Sequence, residues 1–154
     1  MKIKVITSYK PGTWDQYAKK AVDSVLKHWP TDTHVTVYHE AQTQDIFEHP
    51  RLEWIDVHQA QPELVKFKNK YKDDPVANGE IQEIANGVRR PGPMPSKGSF
   101  QWNAVRFANK VFCVTHALSN SNGYDYVIWL DADTYSFRDM PTSFLQEILP
   151  RDSL

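Results

Sequence analysis

Only one cysteine, Cys113, occurs among the 154 residues. A lone thiol excludes an intramolecular disulfide and suits a reducing, cytoplasmic setting. No stretch approaches the roughly 18 apolar residues a transmembrane helix needs, so no membrane span is expected. The amino terminus alternates Lys2-Ile3-Lys4-Val5-Ile6 and reads as a strand, not a secretion signal. Charge of one sign is also missing, because 18 basic and 19 acidic residues leave a net charge of −1. That balance argues against a surface built for bulk nucleic acid or anionic lipid. The six histidines form no H-x-x-x-H pair and have no cysteine partner, which speaks against zinc. No G-x-S-x-G surrounds a serine, and no G-x-G-x-x-G follows the first strand. Hydrolase nucleophile elbows and nicotinamide dinucleotide sites are therefore disfavoured.

What is present is an ordinary globular composition, 40% hydrophobic and 24% charged. The length fits one domain spanning 1–154, and a chain of this size buries about 70% of its unfolded surface. Residues 2–8 (KIKVITS) read as a strand closed by Pro11-Gly12. Thr13 is placed to cap a helix whose stripe is Trp14, Tyr17, Ala18, Ala21, Val25, Leu26 and Trp29. Strands follow at 34–39 and 52–57, and Pro62 opens a helix to about Tyr71.

Between 73 and 97 the periodicity weakens, and Pro91-Gly92-Pro93-Met94-Pro95 cannot be helical. Residues 80–85 suit a turn or two of helix within what reads as a long loop or lid. Ser99 is placed to cap a helix to about Leu118, with Ala104, Phe107, Ala108, Val111, Thr115 and Leu118 inward. Asn122 or Gly123 ends that connection with a positive φ. Residues 124–130 (YDYVIWL) form a nearly continuous apolar run, the mark of a central strand covered on both faces. A short helix after Pro141 closes the chain. Strands alternating with helices predict an α/β fold: a mostly parallel sheet with helices on both faces.

In such sheets ligands bind beyond the carboxyl ends of the strands, and three features collect there. Asp131-Ala132-Asp133 ends the apolar strand. Carboxylates at i and i+2 share a side if the strand geometry continues, and they repel unless a cation sits with them. Hard divalent ions, Mg²⁺ or Mn²⁺, suit such oxygens and bridge them to phosphates. The simpler reading of Asp131 and Asp133 alone is a turn after a strand. Asn103, Arg106 and Lys110 line one flank of the preceding helix, where the basic pair could offset a diphosphate. Alone, that pair reads as a solvated basic face. Thr7, Ser8 and Tyr9 leave the first strand before a helix, with hydroxyls for a nucleoside and a ring on which a base could stack. Glu40, just past the second strand, is a weaker candidate for a base contact.

The KIKVITSY strand, the R-F-A-N-K-V-F helix from Arg106 to Phe112 and the V-I-W-L-D-A-D-T segment together resemble a GT-A-fold glycosyltransferase over most of residues 1–150. The apolar-strand D-x-D with the R-x-x-x-K helix is the specific part. The resemblance implies the Rossmann-like, nucleotide-binding half of that fold. It implies a nucleotide-sugar donor, UDP-sugar favoured over GDP-sugar, held through Mn²⁺ or Mg²⁺. Asp133 matches the metal ligand and Asp131 a ligand of metal or ribose. Arg106 and Lys110 match positions near the donor, and Thr7, Ser8 and Tyr9 match the nucleotide loop. Members of the family normally continue well past this motif, so the expectation is the amino-terminal donor-binding part alone. His116, Asp139 and Glu147 match no catalytic position, and no catalytic base or acceptor is assigned.

Two other readings compete. A non-catalytic nucleotide-sugar-binding module would share every donor feature. A haloacid-dehalogenase-like phosphatase would use Asp131 as nucleophile, but that pattern wants Thr or Val where Tyr135 stands. An open sheet edge could also pair with a second copy, giving a homodimer.

Overall fold

The first strand shows how the sheet divides its residues between two faces. In the computed structural model, residues 1–41, 46–79 and 103–150 are described in full, and 82–84 and 88–90 by their backbone. Strand β1 (Ile3–Ser8) sends Ile3 and Val5, with Tyr9 beyond its end, into one hydrophobic core, and Ile6 into another. Both faces are thus covered, as its nearly uniform burial requires.

Helix α1 (Lys19–His28) is preceded by a π-helical turn, Trp14–Ala18, and covers the first face. The predicted stripe is confirmed: Trp14, Ala18, Ala21, Val25 and Trp29 are buried, while Lys19, Lys20, Asp23 and Lys27 are exposed. Burying such side chains is worth about 1.5–3 kcal/mol each. Intrinsic helix preferences differ by at most about 0.7 kcal/mol among ordinary residues, so packing on the sheet, not propensity, holds α1. Thr13 precedes the helix as expected, yet its hydroxyl donates to the Lys10 carbonyl (2.6 Å) and caps no helical N–H.

Strand β2 (Thr33–His39) pairs with β1, and β3 (Leu52–Asp56) pairs with β2. Val57, expected in the third strand, opens a short helix α2 (Val57–Ala60). The cause is Asp56, whose carboxylate accepts from the His58 and Gln59 N–H groups and caps the turn. Helix α3 (Pro62–Tyr71) starts on its proline and buries Leu64.

The described residues of the segment read as a loop or lid form a turn and two short strands. Asp74 accepts from the Val76 and Ala77 N–H groups, and Val105 N–H donates to the Ala77 carbonyl (3.3 Å), joining this turn to the next helix. Residues 82–84, read as helical, are instead strand β4 (Gln82–Ile84), paired antiparallel with β5 (Val88–Arg90). The Asn86-Gly87 pair between them is a strong hairpin signal. The Pro-rich segment 91–95 and Ser99 lie outside the described residues.

Helix α4 (Ala104–Ser119) is capped by Asn103, whose Oδ1 accepts from the Arg106 N–H at 2.8 Å. Its buried residues are Ala108, Cys113 and Ala117, with Phe112 and Val114 packed beside them. Val111 and Leu118, expected inside, are 61% and 57% exposed, and Ala104 and Thr115 are exposed too. The inner face is rotated because Cys113 and Ala117 let the helix approach β1 closely. Gly123 takes φ +84° before the last strand, as expected.

Strand β6 (Tyr126–Trp129) pairs parallel with β1, from Ile3↔Tyr126 to Ile6↔Trp129. The four-stranded sheet is wholly parallel in the order β3-β2-β1-β6, with α1 on one face and α2, α3 and α4 on the other. The α/β class is therefore as read. β6, however, lies at the edge of this sheet and not at its centre. A continuous apolar run reports covering above and below, not the number of neighbouring strands. Helix α5 (Thr142–Ile148) adds Leu145 to the core on the α1 side.

Candidate functional site

The chain runs outward from β1 through β2 to β3, then returns to the opposite side of β1 as β6. The strand order thus reverses between β1 and β6, and the crevice outside the carboxyl ends of strands at such a point is where open α/β sheets bind ligands. Leu130 N–H still donates to the Ile6 carbonyl (3.0 Å), so Asp131 emerges directly beside the exit of β1.

Strand geometry does not continue through Asp131-Ala132-Asp133. The segment is a turn closed by Thr134 N–H donating to the Asp131 carbonyl at 2.9 Å. Ala132 is 7% exposed and belongs to the core beneath α1, whereas Asp131 and Asp133 are exposed. The small central residue anchors the turn, and its two acidic neighbours remain in solvent. The strand geometry on which a shared side depended therefore ends before the motif, and what the two carboxylates have in common is exposure.

Asp131 has two donors. Trp129 Nε1 donates to Oδ1 at 2.6 Å and Lys110 Nζ donates to the same oxygen at 3.2 Å. Lys110 also lies 4.9 Å from the Trp129 ring centroid, so the three side chains form a closed triangle. The Trp129 hydrogen bond holds the Asp131 carboxyl below the usual carboxylate range; partial burial opposes it, and the bond and charge of Lys110 reinforce it. The carboxylate is thus ionised at neutral pH, with Oδ2 taking no bond among the described residues. Arg106 is exposed one turn before Lys110 on α4.

At the exit of β1 the side chains are less available. Thr7 is 4% exposed, and its Oγ1 has no hydrogen-bond partner among the described residues. It lines a cavity of about 10 Å³ shared with Leu130, Asp131 and Thr134, room for at most about one water. The Tyr9 ring is 3% exposed and packs on Trp14 with centroids 5.2 Å apart, so its face is closed to a stacking base. Only Ser8 is partly exposed, and its hydroxyl bonds the Cys113 thiol. The loop offers backbone groups more than side chains.

Glu40 lies apart from this crevice in its bonding. Lys68 Nζ donates to its Oε2 at 2.7 Å, and Asn109 Nδ2 to its Oε1 at 3.1 Å. His58 Nε2 stands 3.3 Å from Oε2, an ion-pair distance without hydrogen-bond alignment. Glu40 ties the end of β2 to α2, α3 and α4.

Among the described residues no three His, Cys, Asp or Glu side chains gather as a ready-made metal site. Two carboxylates suffice for Mg²⁺ or Mn²⁺ only where substrate phosphates and water complete the shell, which is the usual arrangement for Mg²⁺. The donor chemistry of Asp131 and Asp133 fits that case. Trp129 and Ala132 were not singled out from the sequence. The alternation of strand side chains carried the first, since Trp129 and Asp131 are two apart. Compared with known proteins, the chain matches no family model, no curated protein and no solved structure.

Proposed function

We propose that the chain binds a nucleotide-sugar donor, UDP-sugar in preference to GDP-sugar, with Mn²⁺ or Mg²⁺ held by Asp131 and Asp133, and transfers the sugar to an acceptor. The observation that carries this reading is the Asp131 carboxylate, held by Trp129 and Lys110 where the strand order of the parallel sheet reverses. A carboxylate fixed beside a lysine in that crevice suits a diphosphate bridged through a cation. When bound, the cation neutralises charge on the diphosphate.

In the transfer, the bond from the sugar to the diphosphate oxygen breaks and its electron pair stays on that oxygen. Lys110, with Arg106 one turn away, supplies positive charge where this negative charge develops. The acceptor hydroxyl oxygen forms the new bond to the sugar, and its proton passes to water.

Calorimetric titration with UDP, GDP and their sugars, with and without Mn²⁺, tests the reading. Metal-dependent binding of UDP is expected, lost in Asp133→Ala and weakened about tenfold in Lys110→Met. Equal binding by Asp133→Ala and the parent chain sinks the metal site. Binding without release of UDP from any sugar donor assigns the chain to a binding module, with no transfer.

A further inference from the structure

The loop that follows the acidic turn is unusual in being both firmly anchored and aromatic. Its rear is fixed to α1: Ser136 N–H donates to Ser24 Oγ (3.0 Å) and Trp29 Nε1 donates to Ser136 Oγ (2.8 Å). Met140 N–H donates to the His28 carbonyl (2.8 Å), and His28 Nδ1 meets Asp139 Oδ1 at 2.8 Å. Its front turns Tyr135 and Phe137 to solvent, 49% and 79% exposed, and Phe144 on the adjoining α5 is 39% exposed. Between them opens a hollow of 490 Å³ whose lining begins two residues past Asp133.

We infer that this hollow is a pyranoside-binding site, lined by Tyr135, Phe137 and Phe144 with Arg138 and Asp139 at its polar edge. Its volume falls in the usual range for small-molecule pockets, about 300–1,000 Å³. Exposed apolar surface held rigid by hydrogen bonds is a mark of recognition, because a loop without a ligand loses nothing by folding its rings inward. A pyranose has one apolar face of C–H groups and an edge of hydroxyls, and each finds its complement here. The rings supply flat apolar surface. The Arg138 guanidinium donates, and the exposed Asp139 carboxylate accepts. Lys20 Nζ lies 3.4 Å from the Tyr135 ring centroid, and the Arg138 guanidinium 5.6 Å from that of Phe137. The Arg138 cation lining the hollow disfavours an acyl chain there.

As the acceptor site of a sugar transfer, the hollow rests on the donor-binding reading above. As a pyranoside site it does not. The test uses NMR of the full chain labelled in its Phe and Tyr rings, in EDTA and without nucleotide. Methyl β-glucopyranoside, methyl β-galactopyranoside and methyl α-mannopyranoside are titrated, with cyclohexanol as an apolar ring of similar size. At least one pyranoside is expected to shift the Tyr135, Phe137 and Phe144 signals saturably, with a Kd on the order of 1–10 mM. Phe137→Ala is expected to weaken it about fivefold, and Arg138→Met to weaken it as well. Both side chains are exposed, and an unchanged circular dichroism spectrum checks the fold. Absence of a saturable shift with all three pyranosides, equal affinity for cyclohexanol, or unchanged binding by Phe137→Ala each overturns the proposal. UDP with Mn²⁺, titrated into a metal-replete sample, reads the donor site separately. UDP binding without pyranoside binding removes the hollow alone; pyranoside binding without UDP binding removes only its acceptor role.

Discussion

The indole Nε1 of Trp129 donates to Oδ1 of Asp131 across 2.6 Å, and Lys110 reaches the same oxygen from α4. A strand residue and a helix residue thus fix one carboxylate whose own backbone already lies in a turn. The geometry is set before any ligand arrives, which is what a site acting through fixed charge requires.

Removing the indole donor while keeping an aromatic face isolates its role. Trp129→Phe is expected to raise the Asp131 titration midpoint toward the ordinary carboxylate value, read by carbon-detected NMR. The sign for stability follows from the direction of the shift. A depressed folded pKa contributes stability that is complete above the unfolded value, about 3.9, and is lost as pH falls through the folded pKa. The variant should therefore lack this contribution above about pH 3.9, a small loss because the carboxylate is mostly solvated. Its stability should converge with that of the parent chain as pH falls through the folded pKa.

Ala132 is 7% exposed and packs in the core beneath α1. Ala132→Leu is expected to destabilise the fold by about 1–3 kcal/mol through overpacking. A urea titration should show a lower midpoint with an unchanged slope. Full parental stability in this variant contradicts the anchoring role.

Glu40 holds α3 and α4 to the end of β2 through Lys68 and Asn109. Glu40→Gln is expected to cost about 1.5–3 kcal/mol, the range for hydrogen bonds to charged groups. Combined with Lys68→Met in a double-mutant cycle, the two changes should be non-additive by at least about 0.5 kcal/mol. Strict additivity shows that the pair is only a crystallographic-style contact without energetic coupling.

Burial pushes the Cys113 thiol up to about 12, with the nearby Glu40 charge adding to the rise. The native chain should resist iodoacetamide at about pH 8, where a free cysteine is substantially thiolate. Labelling should proceed only through unfolding and accelerate in parallel with loss of secondary structure in urea. Rapid labelling of the folded chain contradicts this burial.

The sequence carried the sheet well where one residue type repeats on one period. β1, β2, α1 and α3 follow from β-branched runs and apolar stripes; the bounds of β1, β2 and α3 agree closely, and those of α1 do so only together with the π-helical turn Trp14–Ala18 before it. It carried α4 less well, because Val111 and Leu118 fit an apolar stripe as readily as Cys113 and Ala117 do. Only the close approach of the helix to β1 selects the smaller pair. At the site, Asp131 and Lys110 were legible as chemistry and prove to be neighbours. The burial of Tyr9 was not, since a ring beside a strand exit can face solvent or core, and here Trp14 draws it inward.

The order of strands in the sheet also has a consequence in time. β1 gains β2 from a segment about thirty residues away, but its other neighbour, β6, begins at Tyr126. Closing the longer loop costs more chain entropy, so local pairing is favoured first. The crevice beside Asp131 exists only once that distant strand has docked. Under the proposed function, occupancy of the crevice would thus report that folding has finished: a chain still assembling presents its other strands and helices, but lacks the strand that completes the crevice.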